Sequence, residues 1–130
     1  MMKKIRIALA DDQHLFRKGL VSLLNEEDAF KIVIEAENGM VALELYDKNA
    51  AEITLVLTDL GMPVMDGYEM FSELKKINPG LPIIISSGFG DAVVTARIAR
   101  KDIAGLISKP YNHSQLREVL RAASTRLQEV

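Results

Sequence analysis

Cysteine and tryptophan are both missing from these 130 residues, and aromatic residues of all kinds make up only 5%. Without cysteine there is no disulfide, no thiolate metal ligand and no cysteine nucleophile, and the chain suits a reducing compartment without requiring one. A dominant charge is lacking too. Sixteen Lys and Arg against eighteen Asp and Glu leave a net charge of −2. The basic residues are scattered, which argues against direct binding to nucleic acid or to an anionic membrane. No apolar run approaches the ~20 residues that a membrane-spanning helix needs. The Met1-Met2-Lys3-Lys4 start carries the charge of a signal peptide, but the apolar stretch behind it is short, broken by Arg6 and closed by Asp11 and Asp12. Linkers, repeats and low-complexity tracts are absent. The expectation is one globular domain over 1–130, cytoplasmic, with the 48% apolar and 26% charged content of a packed chain.

Short β-branched runs alternate with stretches of helical period. Ile5–Ala10, Lys31–Ala36, Leu55–Thr58, Ile83–Ser86 and Leu106–Ser108 read as strands. Helical stripes lie between and after them: Phe16, Leu20, Leu23 and Leu24; Val41, Leu45 and Tyr46; Tyr68, Phe71 and Leu74, stopped by Pro79-Gly80; a weak Ala-rich helix over Ala92–Arg100; and Leu116, Val119, Leu120, Ala123 and Leu127. Strands alternating with helices predict an α/β domain, doubly wound around a five-stranded parallel sheet. Such a sheet is covered on both faces, which accounts for near-continuous apolar runs such as Ile83-Ile84-Ile85. Its ligands bind outside the carboxyl ends of the strands.

The unusual polar residues fall at those ends: Asp11 and Asp12 after the first strand, Asp59 after the third, Ser87 after the fourth and Lys109 after the fifth. Three carboxylates at one sheet edge repel one another unless something offsets them. Hard oxygen ligands suit Mg²⁺, which takes one or two carboxylates plus substrate phosphate. A lysine opposite adds a compact positive charge for a phosphoryl oxygen, and a nearby hydroxyl adds a hydrogen-bond donor. The chemistry suggested is phosphoryl transfer onto a carboxylate.

Asp11-Asp12, the run Asp59-Leu60-Gly61-Met62-Pro63-Val64-Met65-Asp66-Gly67, Ser87-Gly88 and Lys109-Pro110 occur in order, each at a predicted strand end. In this the chain resembles, over nearly its whole length, the receiver domain of bacterial two-component response regulators. The resemblance implies a flavodoxin-like (βα)5 fold with strand order 2-1-3-4-5. It implies that Asp59 is the phosphoacceptor, served by a sensor histidine kinase or a histidine phosphotransfer protein. Mg²⁺ would be held by Asp12 directly, by Asp11 through water, by Asp59 and by the Gly61 carbonyl. Lys109 would contact the phosphoryl group, Ser87 would turn its hydroxyl to it, and the Lys109-Pro110 peptide would be cis. The response would appear on the face of the fourth helix, fifth strand and fifth helix, controlling a downstream target, an output domain or a phosphorylation-dependent dimer.

Period-two alternation sends Ser86 and Ser87 to opposite faces, and the small Gly88 fits the family pattern for Ser87. Asp66-Gly67 and Pro63 read as turn and cap residues. His14 and His113 read as surface residues near helix starts. One position departs from the family: the strand-five aromatic three places before the lysine is Leu106, with Tyr111 just beyond Pro110. The segment from Asp12 to Leu20 looks like receivers with a DNA-binding output, and the segments around Ser87 and Lys109 look like receivers of hybrid kinases. Two other classes fit the sequence less well. A Mg²⁺-dependent aspartyl-phosphate phosphatase would want a second acid two residues after Asp59, where Gly61 stands. A flavin-binding domain would want a Ser/Thr/Gly loop after the first strand, where Asp11-Asp12 stands. The expectation is a signalling domain that catalyses only its own phosphorylation and dephosphorylation.

Overall fold

The computed structural model describes residues 4–88 and 91–128, with no side-chain detail at 91 and 125–128. In chain order the elements are β1 (Ile5–Ala10), α1 (His14–Asn25), β2 (Phe30–Ala36), α2 (Gly39–Asn49), β3 (Leu55–Asp59), α3 (Gly67–Ile77), β4 (Ile83–Ser87), α4 (Asp91–Thr95), β5 (Gly105–Ser108) and α5 (His113–Gln128). Single 3₁₀ turns follow α2 and precede β5. All strands are parallel, in the order β2-β1-β3-β4-β5. This is the flavodoxin-like fold expected from the resemblance.

Alternation along the strands feeds two separate cores. Ala8, Ala10, Val56, Ile83 and Ile85 pack under α2, α3 and α4 with Tyr46, Met70, Phe71, Leu74 and Val94. Ile7, Leu9, Leu55, Leu57 and Ile84 pack under α1 and α5 with Leu20, Leu24, Leu116 and Leu120. In β3 and β4 and the second half of β1, residues buried on one side alternate with residues buried on the other, so a helix layer covers each face of the sheet's middle.

Local signals place the helix starts near the strand ends. Asn38 caps α2 by accepting from the Val41 N–H at 2.9 Å, and Asp66 caps α3 by accepting from the Glu69 N–H at 2.9 Å. A Cβ at Gly67 would collide with the Asp59 carbonyl oxygen and lie 2.8 Å from the Leu60 Cα. Glycine there lets α3 begin directly against the end of β3.

One element differs from its sequence expectation. The helix predicted over Ala92–Arg100 is only Asp91–Thr95. Three consecutive β-branched residues, Val93, Val94 and Thr95, make poor helix material. Val94 and Ile98 alone of this segment's described side chains are buried. The Arg97 N–H bonds back only three residues, to the Val94 carbonyl at 3.0 Å, and Ala99 is extended. A cation–π contact compensates in part, with the Arg97 guanidinium 3.7 Å from the Tyr68 ring centroid. The last helix is described only as far as residue 128, and the expected packing of Leu127 lies outside the described side chains. Among the described residues no helix is long and apolar enough to cross a membrane.

Candidate functional site

The carboxyl ends of β1 and β3 lie side by side in the middle of the sheet, and Lys109, just after the edge strand β5, reaches across to them. Each strand delivers a charged residue where its ladder stops, and the carboxylate oxygens of Asp11, Asp12 and Asp59 come within 4.8 Å of one another. Lys109 Nζ stands 3.1 Å from Asp11 Oδ2 and 3.5 Å from Asp59 Oδ2. These four expected residues are therefore brought together.

Asp11 is held at every polar atom. Its N–H donates to the Ala36 carbonyl at 3.0 Å, and its Oδ1 accepts from the Gln13 N–H at 2.9 Å. Oδ2 takes Lys109, and the main-chain carbonyl accepts from Arg17 Nη1 at 2.6 Å. Asp12 is exposed at the mouth of the site. Asp59 Oδ1 accepts from the Leu60 N–H at 2.9 Å, which fixes its rotamer and leaves Oδ2 towards Lys109. Burial pushes the Asp59 carboxyl above its usual range; Lys109 opposes this and the Asp11 charge adds to it. Three hard oxygen donors sharing one counter-charge could hold a metal ion.

The remaining expected residues surround this group. Gly61 is exposed, and a Cβ there would meet open space. The Lys109 N–H donates to the Ser87 carbonyl at 2.8 Å, and the Lys109-Pro110 peptide is cis. Ser86 and Ser87 are both buried. In the ladder Asp59 stands opposite Ser86. The Ser86 and Tyr111 hydroxyls are buried near each other without hydrogen-bond alignment. Leu106 packs into the core under α2, α3 and α4, whereas Tyr111 packs on the α1 and α5 side. Tyr111 therefore does not occupy the space of an aromatic residue at 106. Phe89, two residues after Ser87, lies outside the described residues.

Phe16, Tyr111 and Arg17 also take part in the site: the sequence marks Phe16 only as a helix-stripe residue and Tyr111 only by its place beyond Pro110. Lys109 Nζ lies over the Phe16 ring, 4.5 Å from its centroid, and Tyr111 meets that ring edge-on with centroids 5.8 Å apart. Arg17 is the third, buried to 8% exposure. Its spacing from Leu20 and Leu24 places it on the inward stripe of α1, a signal that was present but masked by its charge.

The comparisons agree with this geometry. The response regulator receiver domain family model matches residues 7–121. Chemotaxis protein CheY of Halobacterium salinarum is 32% identical over 115 residues, covering 88% of this chain and 92% of that protein. Sensor kinase CckA of Brucella abortus is 30% identical over 110 residues, covering 85% of this chain but 11% of that protein. The signal receiver domain of an HD domain-containing protein from Pseudomonas fluorescens Pf-5 superimposes with a TM-score of 0.86 at 25% identity, covering 98% of this chain and 100% of that one. The chain belongs to the response regulator receiver domain family of two-component systems.

Proposed function

We propose that this domain, within 1–130, accepts a phosphoryl group on Asp59 from a phosphohistidine of a sensor kinase or histidine phosphotransfer protein. The observation that carries the reading is the convergence of the Asp11, Asp12 and Asp59 oxygens within 4.8 Å, with Lys109 Nζ beside two of them. Asp59 Oδ2, facing Lys109, is the attacking atom. Its O–P bond forms as the N–P bond of the donor breaks, and the imidazole leaves with the electron pair. Asp12, Asp59 and the Gly61 carbonyl would hold Mg²⁺, with Asp11 acting through water. The bound ion supplies positive charge to the phosphoryl oxygens. Lys109 pairs with a phosphoryl oxygen, and the Ser87 hydroxyl donates to another.

The acyl phosphate adds roughly −1.5 to −2 charge, by analogy with phosphorylated hydroxyl residues. A response follows if that charge favours one of two packings of the α4–β5–α5 face. The thinly anchored α4 makes that face the readily moved one. Leu106 means the coupling does not run through an aromatic rotamer at that position. The signal passes to a target, an output domain or a second copy of the domain, in the cytoplasm. The acidic loop after β1 disfavours a flavin phosphate, and Gly61 offers no general acid for a phosphatase.

Incubation with Mg²⁺ and acetyl phosphate, followed by intact mass, tests the reading. The wild-type chain gains one phosphoryl group and Asp59→Asn gains none. A folded wild-type chain that gains nothing overturns it.

A further inference from the structure

We propose that Arg17 is the positioning residue of the acidic cluster, setting the peptide that joins Asp11 to Asp12 and thereby the affinity for the divalent cation. This rests on the reading that the cluster holds Mg²⁺. Arg17 lies on the inward stripe of α1 with Leu20 and Leu24, where an apolar side chain would continue the core. A guanidinium buried there is costly unless its charge and donors are matched. Its donors are spent in a particular way. Nε pairs with Glu35 Oε1 of β2 at 3.2 Å, Nη1 donates to the Asp11 carbonyl at 2.6 Å, and Nη2 lies 3.3 Å from His14 Nδ1.

The Asp11 carbonyl belongs to the same peptide plane as the Asp12 nitrogen. Gripping that oxygen from α1, while Glu35 anchors the guanidinium to β2, fixes the plane and hence the direction in which Asp12 leaves the chain. The planar fork of arginine can serve both partners at once; a lysine ammonium reaches one geometry or the other. Groups that orient metal ligands in this way carry much of a site's affinity without touching the ion. A purely structural role would need only the tie to Glu35, and Glu35 already has a second cation in Lys18, at 3.1 Å.

The test compares Arg17→Met, Arg17→Lys and Glu35→Gln with the wild-type protein. Mg²⁺ binding is followed by the amide shifts of residues 11–13 and 59–61, and urea unfolding is followed in chelator. Both Arg17 variants are expected to fold and to bind Mg²⁺ about 10- to 100-fold more weakly. Glu35→Gln is expected to keep most of the affinity, because the glutamine oxygen can still accept from Nε and the Asp11 contact remains. Wild-type affinity in the Arg17 variants overturns the assignment, as does an equal loss in Glu35→Gln. Failure of both Arg17 variants to fold also counts against it, since positioning predicts a folded, metal-deficient protein. A wild-type chain that does not bind Mg²⁺ removes the proposed function itself, and this inference with it.

Discussion

Lys109 Nζ lies 3.1 Å from Asp11 Oδ2, across 98 residues of sequence, and is closer to Asp11 than to Asp59. In this arrangement the ammonium serves first as counter-charge to the cluster, and Asp59 Oδ2 has the looser contact. Both ends of the closer pair are largely shielded, with side-chain exposures of 18% and 3%. Lys109→Ala leaves the carboxylates uncompensated and should cost about 2 kcal/mol in chelator, below the range for fully buried pairs because water reaches the lysine. Added Mg²⁺ should restore part of that loss in urea titrations. The variant should still accept a phosphoryl group and fail to change its partner's affinity; normal coupling would count against the role given to Lys109.

The two serines separate by what their removal does. Ser87→Ala should leave phosphorylation by acetyl phosphate intact while weakening the response, seen as a smaller phosphorylation-dependent shift of amide signals in β5 and α5. Ser86→Ala removes a buried hydroxyl with no aligned hydrogen-bond partner among the described residues, so stability should stay level or rise by up to about 1 kcal/mol. If Ser86→Ala abolishes the response and Ser87→Ala does not, the assignment is reversed, as the pairing of Ser86 with Asp59 would then explain.

Tyr111 gives a pH dependence with a definite sign. Burial pushes its phenol up to about 12, opposed in part by the neighbouring Ser86 hydroxyl and helped by smaller upward contributions from the Asp11 and Asp59 charges. An unfolded chain loses this proton near pH 10. Between those values the unfolded state binds fewer protons than the folded one, so stability falls as pH rises from about 10 towards 12. Tyr111→Phe should lack that component, so its stability relative to wild type should grow across this interval in urea titrations. A constant difference would show that the phenol is not shielded.

Val64 has φ of 67° on an exposed loop residue, a left-handed conformation that a β-branched side chain rarely adopts. Val64→Gly should relieve roughly 1 kcal/mol, since a penalty of 1–2 kcal/mol is removed and some chain entropy is added to the unfolded state. Phosphoryl uptake should be unchanged. A fall in the unfolding midpoint would mean that the valine side chain contributes more than its backbone costs.

Much of this domain was decided locally. Apolar runs such as Ile83-Ile84-Ile85 are buried on both sides whatever their neighbours, so all five strands fall within a residue of their expected bounds. A residue that ends a parallel strand must appear at the sheet's carboxyl edge, which is why Asp11, Asp12, Asp59 and Lys109 could be assembled from their order along the chain. Other features depend on contacts between distant segments. The length of α4 depended on how few side chains it could anchor against the first core. Register between β3 and β4 put Ser86, and not Ser87, opposite Asp59. Strand parity and the turn at Pro110 sent Leu106 and Tyr111 to opposite cores. The partners that satisfy the buried Arg17 guanidinium, Glu35 and the Asp11 carbonyl, come from other elements. Periodicity specifies which way a side chain points from its own element; what waits there to pair with it is determined by packing across the whole sheet.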